Sequence, residues 1–378
     1  MTSDPADQRA LDGVFMARAI ALAANAREWA SPNPAVGCIL VKEQQEIGAG
    51  FTQPAGQAHA EVMALQAAKD AGHSTVGATA YVTLEPCNHQ GLTGPCSEAL
   101  IAAGVTRVVA SLEDPDPRVA GGGFTRLREA GIAVDVGLMA EDALEGLQGF
   151  FWRLTRGYGR VTLKLGISLD GKVAMASGES QWITGPQARA DVQRLRAASC
   201  FVVTSSETVL SDNCALTVRP EELGLEGEAL RRATYRQPGR VVLDRRARVS
   251  GESRVLSGEA ETLLIHAQGQ PAALAEKSIA LPESGAGLDL GSVLAELGRR
   301  GANEILLEAG PRLAAAFLAG GWVDRVVLYQ APVLLGAKAR SMVALELDTL
   351  AQAVRLDYQQ VQPVGDDLRI IAAVKRKQ

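Results

Sequence analysis

Apolar positions recur at helical spacing from Leu11 to Glu28, and the stretch Asn25 to Pro34 then breaks the rhythm. AVGCILV (35–41) is continuous enough for a buried strand, and EIGAGF (46–51) is its hairpin partner. HAEVMALQAAKDAG (59–72) returns to helical spacing and stops at Gly72, a residue suited to end a helix. The pattern then predicts a strand at 78–85, a helix at 96–104, a strand at 106–111, a helix at 124–131 and a strand at 132–137. Strands alternating with helices predict a layered α/β sheet.

A second strong strand, RVTLKLGISLDG (160–171), follows GFFWRLTRGYG (149–159), which puts the boundary there and gives domains 1–155 and 156–378. Further strands are expected at 200–205, 240–244, 262–266, 304–310 and 325–335, with helical stretches between most of them. The polar, glutamate-rich stretch 219–239 is expected to be a long surface loop. The two halves share no internal repeat.

Composition narrows the class. A chain of 378 residues is too long for one ordinary core, and 47% hydrophobic with 21% charged residues is a soluble globular balance. A net charge of −5 makes a polymeric nucleic acid a poor partner, since such binders neutralise phosphates with a basic surface. No apolar run approaches the roughly 20 residues needed to cross a bilayer. The acidic, polar start MTSDPADQRALDG does not resemble a signal peptide. The cysteines Cys38, Cys87, Cys96, Cys200 and Cys214 are too irregular for a disulfide scaffold, so a cytoplasmic enzyme with reduced or metal-bound thiols is expected.

The chemistry in the first half lies in three ordered features: His59-Ala60-Glu61, Pro86-Cys87 and Pro95-Cys96. Zinc accepts imidazole nitrogen and thiolate sulfur at tetrahedral geometry, and a catalytic zinc keeps one position for water. One histidine and two cysteines supply three ligands and leave the fourth position open. His59 and Cys96 each begin a predicted helix, whose partial positive charge favours a thiolate. Glu61 follows His59 closely enough to stand beside the metal as a proton carrier between the activated water and a departing amine. This order is the signature of zinc deaminases of nucleobases, although Cys87 and Cys96 are nine positions apart where the short form has two intervening residues. A structural zinc site with His89 as fourth ligand is the rival reading.

The second half carries no G-x-G-x-x-G between a strand and a helix, so a Rossmann domain is not supported. EILLEAGPRLAAAFL instead runs from a strand through Gly310 and Pro311 into a helix, a junction that suits a phosphate group or is an ordinary turn.

PNPAVGCILV, HAEVMAL, AYVTLEPCNHQG, GPCSEALIAAG and DPDPRVAGGG resemble the deaminase domain of the bifunctional riboflavin-biosynthesis deaminase–reductases. LKLGISLDGKVAMASGESQWITG, TSSETVLSDNCALTVR and EAGPRL resemble the reductase domain of the same family, so the resemblance covers nearly the whole chain. It implies a cytidine-deaminase-like three-layer α/β domain followed by a dihydrofolate-reductase-like α/β domain. The implied first step is zinc-dependent hydrolysis of the 2-amino group of 2,5-diamino-6-(5-phosphoribosylamino)pyrimidin-4-one. The implied second step is NADPH-dependent reduction at C1′, opening the ribose to give 5-amino-6-(5-phosphoribitylamino)uracil. A homodimer is implied as well.

By the same resemblance Asn33 contacts the ring in the first domain. Gly166, Trp182, Thr208, Asp212 and the run Gly310, Pro311, Arg312, Leu313, Ala314, Ala315, Ala316 match positions near the nicotinamide nucleotide. Lys164, Ser180, Arg196, Leu216, Arg219 and Glu308 match positions around the substrate, and Lys164, Asp212 and Glu308 are alternatives for handling the reductase proton. Two departures stand out: Leu92 follows Gly91 where a basic residue is usual, and Asp212 is followed by Asn213-Cys214 where many relatives carry Asp-Pro. Two rivals remain: a nucleoside or tRNA deaminase with a C-terminal recognition module, and a metal-stabilised binding protein with decayed active sites.

Overall fold

Alternation along the first strands decides how the first half of the chain is layered. The computed structural model describes residues 5–90, 94–117, 119–270, 274–285 and 287–376. It divides into two compact units, Met1–Arg156 and Gly157–Gln378. In the first, α1 (Pro5–Ala23) precedes the strands β1 (Gly37–Lys42) and β2 (Gln45–Phe51). Then come α2 (Ala60–Asp70), β3 (Thr79–Val82), α3 (Cys96–Ala102), β4 (Arg107–Ala110), α4 (Gly122–Glu129), β5 (Ala133–Val136) and α5 (Ala140–Arg156). The strand order is β2-β1-β3-β4-β5, with β1 antiparallel to β2 and β3 and the rest parallel.

Ile39, Val41, Tyr81 and Val109 turn to one face, where Met16 and Ala19 of α1 cover them. Cys38, Leu40, Ala80, Val82, Val108 and Ala110 turn to the other, against Ala60, Ala64, Leu100, Phe124 and Leu127 of α2, α3 and α4. Both faces are covered, giving the expected three layers, and this is why the strands read as near-continuous apolar runs.

The second unit begins with β6 (Arg160–Ser168), β7 (Lys172–Ala174), α6 (Pro186–Ala197), β8 (Phe201–Ser205) and α7 (Ser206–Asp212). It continues with α8 (Gly227–Ala233), β9 (Gly239–Leu243), β10 (Thr262–Ala267), β11 (Ser278–Leu281) and the short pair β12 (Glu283–Ser284) and β13 (Gly287–Leu288). The last elements are α9 (Leu290–Arg299), β14 (Glu304–Leu307), α10 (Pro311–Ala319), β15 (Arg325–Ala331), β16 (Arg340–Ser341), β17 (Leu356–Val364) and β18 (Asp367–Val374). Nine strands form one sheet in the order β11-β10-β9-β8-β14-β6-β15-β18-β17. It is parallel from β11 to β15 and ends in the antiparallel hairpin β17–β18. Leu163, Val203, Val241, Ile265 and Leu307 pack with Leu294 and Leu297 of α9 and Phe317 of α10, while Val202, Val242, Leu264 and Leu306 face a second cluster with Val209 of α7.

One expectation is corrected. The stretch 219–239 is no plain surface loop: it holds a short 3-10 turn at Pro220–Glu222 and the helix α8. Leu223 and Ala233 are buried there with Ala197 and Val218, and sparse apolar positions among many glutamates hid this small cluster. Among the described residues no helix is long and apolar enough to cross a membrane.

Candidate active sites

In the first unit the position of α2 is set by glycines. A Cβ at Gly48 would stand 2.3 Å from Ala64 O, and one at Gly50 would stand 2.4 Å from Ala60 O. The α2 backbone therefore lies directly on β2, a contact that only glycine allows. This seats His59, the extended N-cap of α2, and Glu61 in its first turn, which is 3% exposed.

Cys96 is the first residue of α3, after Pro95, and its N–H points to Cys87 Sγ at 3.5 Å. The Ser97 N–H donates to Cys87 O at 3.1 Å and its hydroxyl to Asn88 Oδ1 at 2.8 Å, which pins Cys87 to the helix start. His59 Nδ1 then lies 3.6 Å from Cys87 Sγ and 3.4 Å from Cys96 Sγ. With ordinary zinc–nitrogen and zinc–sulfur bond lengths, the nitrogen–sulfur edge of a tetrahedron is about 3.6 Å, so this donor set fits zinc. Among the described residues His59, Cys87 and Cys96 are the metal-ready cluster, and His89 is exposed and outside it. Three protein donors with a carboxyl nearby make the set of a catalytic rather than a structural site.

The charges agree with that reading. Burial, with the charge of Cys87 beside it, pushes the Glu61 carboxyl up to about 7. Hydrogen bonding from the Cys96 thiol, opposed by burial and helped by His59, pulls Cys87 down to about 4. Its partner Cys96 is pushed up by that same bond and by burial, while the bond to Cys87 raises His59.

One residue that carries the site was not singled out from the sequence. Glu85, beside Pro86-Cys87 and 4% exposed, accepts four backbone N–H groups. They come from Asp114 (3.2 Å), Gly121 (3.0 Å), Gly123 (2.8 Å) and Phe124 (3.2 Å). A Cβ at Gly123 would meet Pro86 O at 1.9 Å, so the first turn of α4 lies hard against the cysteine-bearing turn. The signal was present in the pairing of E-P-C with the glycine run of DPDPRVAGGG. Asn33 is half-buried in the turn before β1, its N–H bonded to Ala30 O. Leu92 lies outside the described residues.

In the second unit three predicted substrate residues meet. Glu308, just beyond β14, pairs with Lys164 of β6 at 2.9 Å and with Arg196 of α6 at 2.6 and 3.1 Å. Burial opposes ionisation there, but the Arg196 guanidinium and the Lys164 ammonium prevail and hold Glu308 well below the usual carboxylate range. Arg196 also donates to Thr217 O at 3.0 Å. Leu216 is buried nearby in sequence, while Arg219 pairs with Glu222 at 2.5 Å.

Gly166, Thr208 and the Gly310 run lie at or just after the C-terminal ends of parallel strands, where ligands bind in open α/β sheets. Gly166 lies late in β6 opposite Tyr329, and Thr208 donates its N–H to Ser205, the N-cap of α7. Asp212 ends α7, exposed, and accepts from Ser211 Oγ at 2.7 Å. Ser180 is half-buried; Trp182 is 64% exposed, with the Arg189 guanidinium 4.5 Å from its ring centre. Gly310 caps α10, Pro311 begins it and exposed Arg312 adds a positive charge, which fits the diphosphate of a nucleotide. Ala314 and Ala315 are buried in the same helix, so their side chains pack inward, whereas Leu313 is half-buried and Ala316 exposed.

Residues 10–112 match the cytidine and deoxycytidylate deaminase zinc-binding region, and residues 160–370 match the RibD C-terminal domain. The chain is similar to the riboflavin biosynthesis protein RibD of Escherichia coli (strain K12), 48% identical over 361 residues, covering 94% of this chain and 98% of that one. The Haemophilus influenzae protein of the same description is 41% identical over 369 residues, covering 95% and 96%. Among solved structures, Acinetobacter baumannii RibD (form 1) superposes with a TM-score of 0.87 at 40% identity, covering 97% of this chain and all 100% of that one. A Thermotoga maritima deaminase/reductase gives 0.86 at 30% identity, with 97% and 100% covered. Matches to both halves argue against a lone deaminase with a recognition module.

Proposed function

The chain belongs to the family of bifunctional riboflavin-biosynthesis deaminase–reductases, and from that premise we propose how its own residues carry the two steps. The first step is hydrolytic deamination of 2,5-diamino-6-(5-phosphoribosylamino)pyrimidin-4-one, and the second is NADPH-dependent reduction to 5-amino-6-(5-phosphoribitylamino)uracil. The observation that carries the reading is the buried Glu61 beside His59, Cys87 and Cys96, with His59 Nδ1 3.4–3.6 Å from the two sulfurs and all three donors within 4.8 Å of one another.

His59, Cys87 and Cys96 would hold zinc, which when bound lowers the pKa of water towards about 7. Glu61 takes the proton of that water and returns it to the departing amine, a task suited to a carboxyl pushed up to about 7. Asn33 orients the ring. Domains 1–155 and 156–378 divide the two steps.

In the second domain Gly166, Trp182, Thr208, Asp212 and the Gly310–Ala316 run hold NADPH, which when bound supplies the hydride. Arg196 and Arg219 recognise the phosphate, since a guanidinium donates paired hydrogen bonds to phosphate oxygens. Ser180 and Leu216 complete the substrate side. Opening the ribose leaves its ring oxygen in need of a proton. Glu308 is held as a carboxylate and cannot give one, which favours Lys164, 2.9 Å from it, or Asp212. The enzyme works as a homodimer in the cytoplasm, as the family resemblance implies.

The test is Glu61→Ala assayed for both steps. Ammonia release is expected to fall by at least about 100-fold, the lower range for a lost proton carrier, with NADPH oxidation intact on supplied deaminated substrate. Loss of both activities in a folded variant would refute the assignment of separate sites.

A further inference from the structure

Asn213 to Arg219, which follows α7, lies outside every strand and helix, and side chains supply much of its hydrogen bonding. Gln237 accepts from the Val218 N–H at 2.7 Å and donates to Val218 O at 3.0 Å. Gln193 accepts from the Arg219 N–H at 3.1 Å, and Arg196 donates to Thr217 O at 3.0 Å. Two residues here are left-handed without being glycine: Asn213 at φ 43° and Leu216 at φ 53°. Such a backbone is strained for a residue with a side chain and persists only where its surroundings hold it. Asn213 is held by the Arg254 N–H, which its Oδ1 accepts at 3.0 Å.

The hold on Leu216 comes from inside the sheet. Arg240, in β9 beside Val241, Val242 and Leu243, is 0% exposed. Its Nη1 donates to Ala215 O at 3.3 Å and to Ser257 O at 2.9 Å, and its Nη2 donates to Ala260 O at 2.7 Å. Among the described residues no carboxylate pairs with it, and its Nε meets no protein acceptor. Burying a guanidinium without a counter-ion is costly, and the backbone ladders of β9 do not depend on the side chain. An apolar residue would suit a central parallel strand better. What the arginine does that no apolar residue can do is tie the carbonyl before Leu216 to the 257–260 turn.

We infer that Arg240 is a positioning residue of the reductase, fixing the Ala215–Leu216 backbone so that the substrate meets a preformed Leu216–Arg219 segment. This rests on the proposed reading that Leu216 and Arg219 face the substrate. A preformed loop saves ordering cost on binding, so its loss appears in substrate affinity rather than in chemistry.

The experiment compares Arg240→Met, Arg240→Lys and Arg219→Gln in the full-length enzyme. For Arg240→Met we expect the KM for the deaminated substrate to rise about tenfold, with kcat and the KM for NADPH within about twofold. Ammonia release should not change, and amide exchange across 213–219 should quicken. Arg240→Lys, which keeps the charge and part of the donor set, should fall between. Arg219→Gln should raise the same KM. If it does while both Arg240 variants keep the wild-type KM, the positioning role is wrong. If Arg219→Gln and the Arg240 variants all leave the KM unchanged, the substrate-side reading fails, and the inference with it. A fall in kcat alone, matching the unfolded fraction, would make Arg240 merely structural. Should the Met variant not fold, the Lys variant decides by the same split.

Discussion

Glu61 and Glu85 stand in one unit, both buried, yet only the first was legible as a functional residue. Glu61 announces itself by its distance in sequence from a histidine that could hold a metal. Glu85 works through backbone N–H groups 29 to 39 positions away, and a donor without a side chain leaves no mark in a sequence. Asp12 was hidden for another reason: its partners are side chains, but they lie 69 and 95 positions away. It accepts hydrogen bonds from Arg107 at 2.8 and 2.7 Å and from the Tyr81 hydroxyl at 2.6 Å. Burial raises its pKa, but the hydrogen bonds from Arg107, Tyr81 and Gln8 outweigh it and bring the carboxyl down to about 2, from an ordinary value of 3.8. A carboxyl depressed on folding stabilises above its unfolded pKa and loses that contribution as pH falls through the folded one. Asp12→Asn is therefore expected to cost on the order of 1–2 kcal/mol near neutrality. The gap to wild type should begin to close below about pH 4 and vanish only below about pH 2. Denaturant unfolding of both proteins across that range checks it; a constant gap would contradict the mechanism.

Most elements followed from apolar spacing, because a strand covered on both faces and a helix with one buried stripe differ in period. Where one of those conditions fails, the elements were missed. The edge strand β17 is exposed at seven of its nine positions, so no burial pattern marks it. The seat of α2 was also invisible, since nothing in EIGAGF states that a helix backbone will lie on its glycines. That seat gives an expectation at this scale. Gly50→Ala places a methyl 2.4 Å from both Ala60 O and Ala64 N, and backbone cannot swing aside as a long side chain can. A destabilisation of about 3 kcal/mol is expected, with displaced His59 lowering zinc content per chain. Gly13→Ala, in α1 with nothing within 4 Å of the new Cβ, is the control and should raise stability slightly. Melting curves and metal analysis read both; equal behaviour of the two variants would dismiss the seat.

The metal trio and Glu61 belong wholly to residues 1–156, and Lys164, Arg196 and Glu308 wholly to 157–378. The change of motif along the sequence announced two chemistries, because each set of residues is local to its own sheet. Stripping zinc with a chelator should therefore end ammonia release and lower the first unit's unfolding temperature. NADPH oxidation on deaminated substrate should stay within about twofold of its starting rate, since none of the reductase residues donates to the metal. Readdition of zinc should restore the first activity; a parallel fall in both rates would mean the sites are coupled. The ligand trio, drawn from the starts of α2 and α3 and the turn between them, has a consequence beyond the test tube. A cell starved of zinc would fill with chains able to reduce but not to deaminate. The diamino compound would then pool upstream of an idle reductase, and metal supply would act as a valve on flux through both steps.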